Sequence, residues 1–172
     1  MNPEDKNLLD KDDRAKYEFR DKDIAIFRTE KGLDENTVRE ISKIKKEPSW
    51  MLDFRLKSLK EFFSHHQPSF GPDLNWIDFQ DYTYYTRISD KVAENWDDVP
   101  STVKDTFDKL GIPQAEQKFL SGVTTQYESE AVYSNMLKEV NDKGVIFLDM
   151  DSGLKEYPEI VKKYFGKLVP PQ

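Results

Sequence analysis

Glu47-Pro48-Ser49-Trp50-Met51-Leu52-Asp53-Phe54-Arg55-Leu56-Lys57-Ser58-Leu59 is the most informative stretch of this chain. Proline suits the first turn of a helix, where its missing N–H has no partner to lose. After Pro48 the apolar residues recur at helical spacing. Met51, Leu52, Leu56, Leu59 and Phe63 share one face, and Trp50 and Phe54 widen it. The spacing predicts a helix from Pro48 to about Ser64. Trp50 and Phe54 are assigned to core packing in preference to a binding surface. Arg55 falls inside the apolar stripe, so it must snorkel to water or pair with an acid.

Upstream, Gly32 breaks the chain and Asp34 is a good N-cap for a helix through Lys46, with Val38, Ile41 and Ile44 as its apolar stripe. Glu35 and Arg39 form a favourable i,i+4 pair. Pro48 ends that helix and begins the next. Met1 to about Arg14 reads as a disordered tail, followed by short extended segments at Tyr17-Glu18-Phe19 and Asp23-Ile24-Ala25-Ile26-Phe27.

Downstream, Pro68, Gly71 and Pro72 mark a long loop. Trp76 to Phe79 and Tyr82 to Tyr85 read as irregular chain laid across a core, and residues 86–98 as polar and mobile. Helices are predicted from Pro100 to Leu110, closed by Gly111, and from Pro113 to about Leu120. Val123 to Tyr127 reads as a strand, and Ala131 to Asn141 as a helix with Val132, Met136, Leu137 and Val140 on its stripe. Gly144-Val145-Ile146-Phe147-Leu148 is the clearest strand signal. Asp151 or Ser152 then caps a helix, and Pro158 to Phe165 forms the last, stopped by Gly166. The class is α+β, mainly α with a small strand component.

Composition bounds the function. With 34% charged residues but 13% aromatic, the 172-residue chain reads as a folded body with a polar start. The net charge of −7 disfavours nucleic acid and anionic membrane partners. No apolar run reaches the length of a membrane span. The start of the chain lacks a signal-peptide pattern. There is no cysteine, which removes disulfides, thiolate metal sites and cysteine nucleophiles, and a cytoplasmic location is expected.

Four blocks, in this order, resemble the N-terminal region of SufB, the scaffold of bacterial iron–sulfur cluster assembly. They are Lys31-Gly32-Leu33 with the helix through Lys45-Lys46; the Trp50-Met51-Leu52 block; Asp78-Phe79-Gln80-Asp81-Tyr82-Thr83-Tyr84-Tyr85 followed by Leu110-Gly111-Ile112-Pro113-Gln114-Ala115-Glu116-Gln117-Lys118; and Gly144-Val145-Ile146-Phe147 followed by Glu156-Tyr157-Pro158-Glu159 through Gly166. The resemblance implies a SufB-like N-terminal domain over residues 15–169, a tail over 1–14, and a truncated linker at 170–172 toward an absent β-helix core. It implies SufC and SufD as partners through the full-length scaffold, with the sulfur-donor protein as a further one. The family's cluster-building and SufC-binding parts lie beyond this stretch. Some relatives carry cysteines between the third block's halves, and Arg87 to Val99 has none. No cofactor is therefore expected in this fragment, and no catalytic residue is assigned.

Other chemistry was weighed against plain structure. Val145-Ile146-Phe147-Leu148-Asp149-Met150-Asp151 resembles the Asp-x-Asp motif of haloacid-dehalogenase-type phosphatases, in which one Asp attacks phosphorus beside magnesium. Ser152-Gly153 replaces that family's Gly-Thr, and only 21 residues follow Asp151. A strand end and a helix N-cap explain the residues better. His65 and His66 point about 100° apart on a helix and chelate one metal poorly. Asp21, Asp23 and Glu30 imitate a calcium loop, but Ile26 occupies its glycine position. Tyr82, Tyr84 and Tyr85 remain, balanced between core and protein interface. The main alternative is an independent acidic protein-binding adaptor; an Asp-x-Asp phosphatase is third. With no thiolate available, anaerobic reconstitution with iron and sulfide is expected to leave the chain without charge-transfer absorbance after desalting. A stoichiometric cluster that survives desalting would overturn that expectation.

Overall fold

A computed structural model describes residues 24–112 and 122–171. The elements in chain order are β1 (Phe27–Arg28), α1 (Glu35–Lys45), α2 (Ser49–Ser64), β2 (Thr86–Arg87), α3 (Ser101–Leu110), β3 (Gly122–Tyr127), β4 (Glu130–Met136), α4 (Lys138–Asn141), α5 (Met150–Glu156) and α6 (Pro158–Tyr164). Short 3-10 turns stand at Phe79–Asp81 and Trp96–Asp98. Among the described residues the sheets are two antiparallel pairs, β1–β2 and β3–β4. The class is α+β, as the sequence pattern predicts. The tail over 1–14, the segment Tyr17–Phe19 and the helix expected from Pro113 lie outside the described residues.

The chain gathers into two compact units. Among the described residues, one joins 26–87 to 148–171, and the other joins 24–25 to 88–112 and 122–147. In the first unit, α1 starts where expected: the Asp34 carboxylate accepts the Thr37 N–H at 2.8 Å. Glu35 and Arg39 pair across one turn at 3.2 Å, both exposed. The helix stops at Lys46, whose left-handed φ of 55° turns its N–H back onto the Ser42 and Lys43 carbonyls. Pro48 is the cap of α2, one residue outside the helix, and its carbonyl accepts from Met51 and Leu52.

Between the two helices the Glu47 side chain is 1% exposed. Arg55, two turns into α2, grips it with a fork: Nε donates at 2.9 and 3.1 Å and Nη2 at 2.6 Å. The arginine in the apolar stripe thus pairs with an acid. Met51, 2% exposed, and Leu59 form the buried face of α2. Leu52, Phe54 and Leu56 are half-buried. Phe63, read as part of that face, is exposed. The reason is length: α1 has 11 residues and α2 has 16, so the last turn of α2 outruns its neighbour.

The returning segment closes this unit. Lys45 pairs with Asp151, both largely buried, and the Lys45 ammonium lies 5.4 Å from the Tyr85 ring centroid. The Phe165 ring meets Phe54 edge-on at 5.0 Å and Trp50 at 6.2 Å. Gly166 follows with φ 68°, and a Cβ there would stand 2.5 Å from the Phe54 ring. Only glycine fits that turn.

Three expectations are corrected here. Val145 to Leu148 is no strand: each residue is partly exposed and no described strand lies beside it to pair with. The helix after it is capped by Asp149, two residues earlier than read. Its carboxylate accepts the Ser152 N–H at 3.0 Å and the Ser152 hydroxyl at 2.7 Å. Residues 130–136 are strand β4, not helix, and α4 covers just Lys138–Asn141.

The second unit shows why. β3 and β4 form a hairpin turning at Glu128, with φ 54°, and the register shifts between Thr125 and Gln126. The bulge places an extra residue on β4, so the adjacent Val132 and Tyr133 are both buried. Neighbouring buried residues break the strand period, which is what imitates a helical stripe. Val103, Val99 and Ile88 complete this core, with Trp96 set edge-on to Phe107 and Tyr133. Residues 86–98, read as polar and mobile, therefore supply core residues, and Ala93 bridges to Tyr133.

Two outcomes follow from this packing. Met51→Ala is expected to cost about 2–5 kcal/mol in denaturant melts, against less than about 0.5 kcal/mol for exposed Lys57→Ala. Equal costs would mean the buried face is wrongly assigned. For Asp149, burial raises the carboxyl pKa, but hydrogen bonds from the Ser152 side chain and backbone outweigh it and hold it below its usual value. A depressed pKa stabilises the fold above the ordinary carboxylate range and loses that effect as pH falls through the lowered value. Asp149→Ala is thus expected to cost about 0.5–2 kcal/mol at neutral pH. The gap to wild type should close in acid, and a pH-independent gap would refute the cap.

Candidate functional site

The most exposed large aromatics with a shared setting lie where α2 outruns its cover. Phe62 and Phe63 end the helix, and the loop beyond it carries Phe70, 82% exposed, and Trp76, 73% exposed. Trp76 was read as chain laid across a core; it faces solvent instead. The loop follows from its residues: Pro68, Gly71 and Pro72 forbid regular structure, and Asp73 and Asp78 each accept an N–H two residues ahead. Phe62 packs edge-on to Phe63 at 5.3 Å and to Phe79 at 5.0 Å, which anchors the loop's far end to the helix.

The end of α2 and this loop wall a groove of about 540 Å³, whose lining includes Phe62, Phe63, Leu74, Ile77 and Phe79 with Glu61 and His65 at polar positions. A second groove of about 420 Å³ shares Ser58 and Phe62 with it and runs past Met51, Phe54 and the Glu47–Arg55 pair. Concave, mainly apolar surface with a few fixed polar groups is what a docking site for a protein segment requires.

The three tyrosines named from sequence part company here. Tyr85 is 2% exposed and belongs to the core of its unit, with Phe27 6.1 Å from its ring. Tyr84 donates its hydroxyl to the Phe79 carbonyl at 2.7 Å. Burial raises the pKa of that phenol, with Tyr82 and Asp78 adding to it, so it stays a neutral donor. Tyr82 alone is exposed, beside the 3-10 turn. Sequence reasoning missed Phe62, Phe70 and Trp76, although one signal was present. No lysine or arginine occurs between Lys60 and Arg87 in a chain with 26 of them.

The other candidates resolve as structure. Asp149 is the cap of α5, and Asp151 holds Lys45, so neither carboxylate stands free as the Asp-x-Asp chemistry needs. His65 Nδ1 lies 2.7 Å from the Glu61 carbonyl and closes the end of α2, while His66 is exposed. Asp21 and Asp23 of the calcium-loop pattern lie outside the described residues. Among the described residues no three His, Asp or Glu side chains group to hold a metal. No helix there is long and apolar enough to cross a membrane.

No family model and no solved structure matches the chain. Curated relatives do. An iron–sulfur cluster assembly SufBD family protein of Staphylococcus aureus (strain USA300) is 58% identical over 155 residues, covering 90% of this chain and 33% of that protein. Proteins of the same description from Staphylococcus saprophyticus and Staphylococcus haemolyticus are each 57% identical over 154 and 155 residues, with the same coverage. The chain is thus similar, over nine-tenths of its own length, to proteins named iron–sulfur cluster assembly SufBD family proteins, and it spans about a third of theirs.

Proposed function

We propose that this chain is the N-terminal domain of a SufB-like scaffold for iron–sulfur cluster assembly, with a structural and protein-docking role in a SufBCD-type complex. The observation that carries the reading is the 58% identity over 155 residues to a protein named for that assembly. The internal chemistry supports a docking role over catalysis. The carboxylates that imitate a nucleophile are committed to a helix cap and an ion pair. The exposed side chains that remain conspicuous are aromatic, the type enriched where proteins meet. By the resemblance, SufC and SufD are partners of the complete scaffold in the cytoplasm, and the sulfur-donor protein is a partner this domain serves directly.

The second reading, an independent acidic adaptor, rests on the net charge of −7 and the absence of cysteine. Calorimetry of the chain against SufC, SufD and the sulfur-donor protein separates the two. The scaffold reading expects weak or no SufC binding by this chain alone, since the resemblance puts that contact elsewhere, and measurable binding to the sulfur donor. Tight SufC binding would show that the SufC contact lies on this domain, against the resemblance. Silence toward all three would favour the adaptor.

A further inference from the structure

The groove between the end of α2 and the following loop has a specific electrostatic character. From residue 61 to residue 86 the chain holds four acids, Glu61, Asp73, Asp78 and Asp81, and no lysine or arginine. Asp81 is matched from outside by Lys31 at 2.6 Å. Glu61 lines the groove, and Asp73 and Asp78 each precede a residue that lines it, Leu74 and Phe79. The cations of α2, Arg55, Lys57 and Lys60, are not on its wall. The one acid or base among lysine, arginine, aspartate and glutamate on the groove wall is thus an acid, Glu61, and the loop that follows adds acids only, while the unit that contains them has 14 acidic and 14 basic residues and is neutral overall. The bias is local to the groove.

Exposed aromatic faces beside carboxylates select one kind of group. A guanidinium stacks on an aromatic face through its planar cation and pairs with a carboxylate through its N–H fork. An ammonium does the second poorly and is more strongly hydrated. An anionic surface such as nucleic acid or an acidic membrane is repelled by the rim. We infer that the groove walled by Phe62, Phe63, Leu74, Ile77 and Phe79, with the exposed Phe70 and Trp76 carried on the loop that forms one wall, docks an arginine-bearing segment of a protein partner. The partner's apolar side chains occupy the groove and its guanidinium groups meet Trp76, Phe70 and the acids. This inference stands apart from the family reading, which concerns the complex the chain serves and not the chemistry this surface selects.

The test uses the whole chain and a defined probe, an acetylated and amidated peptide of alternating arginine and leucine. The controls are the same peptide with lysine or glutamate in place of arginine. Calorimetry should show binding of the arginine peptide, binding about three- to tenfold weaker for the lysine peptide, and none for the glutamate peptide. The double variant Phe70→Ala/Trp76→Ala should lose about tenfold or more in affinity. Both residues are highly exposed, so its melting curve should match wild type. Glu61→Gln should weaken the arginine peptide several-fold and flatten its salt dependence. Equal binding of the glutamate peptide, or an unchanged affinity in the double variant, would overturn the inference. So would capture of phosphatidylglycerol vesicles or single-stranded RNA through Trp76.

Discussion

The fork between Arg55 and Glu47 is the constraint on which the helical unit depends. A carboxylate 1% exposed is costly to bury, and it is tolerated only where a partner satisfies it fully. Glu47 occupies the single residue between the left-handed Lys46 and the capping Pro48, so the bend between α1 and α2 and the ion pair define each other. With Arg55 held there, the apolar residues on either side of it, Met51 and Leu59, are turned inward toward the same face. The pair offers direction, which hydrophobic contact alone does not. Apolar side chains on a helix can slide by a few degrees at little cost, whereas a forked guanidinium cannot.

Where local chemistry decides structure, the sequence was legible. Asp34, Pro48 and Gly111 mark helix ends by mechanisms confined to a few residues, and α1, α2 and α3 begin or end within a residue or two of where these place them. Where a distant neighbour decides, it was not. Val145 to Leu148 has the composition of a buried strand, yet a strand exists only beside another, and none of the described strands is placed to pair with it. Val132 and Tyr133 read as part of a helical stripe because a bulge, visible only in the pairing with β3, turns both inward.

The candidate site divides along the same line. That Tyr82 to Tyr85 form an aromatic cluster was visible in the sequence, but which rings are exposed was set by register. Tyr85 precedes the β1–β2 pairing and turns into the unit, while Tyr82 follows the 3-10 turn and stays outside. The exposure of Phe63 follows from a difference in helix length, which no local pattern at residue 63 records. The absence of lysine and arginine between Lys60 and Arg87, by contrast, was legible throughout and needed only a reason to be read.

The helical unit is assembled from two pieces of chain, with residues 88–147 inserted between them. This has a consequence during synthesis. Val38, Met51 and Phe54 leave the ribosome long before Leu154 and Phe165, which line the same groove. From Arg87 to Phe165 is 78 residues. At about 5–20 residues per second, the half-made unit presents its apolar face for roughly 4–16 s. The inserted segment, with its own core at Val103 and Tyr133, is completed within that window and shortens the span that must close. A nascent chain stalled inside the insertion is therefore the form of this protein most exposed to chaperones, and to aggregation.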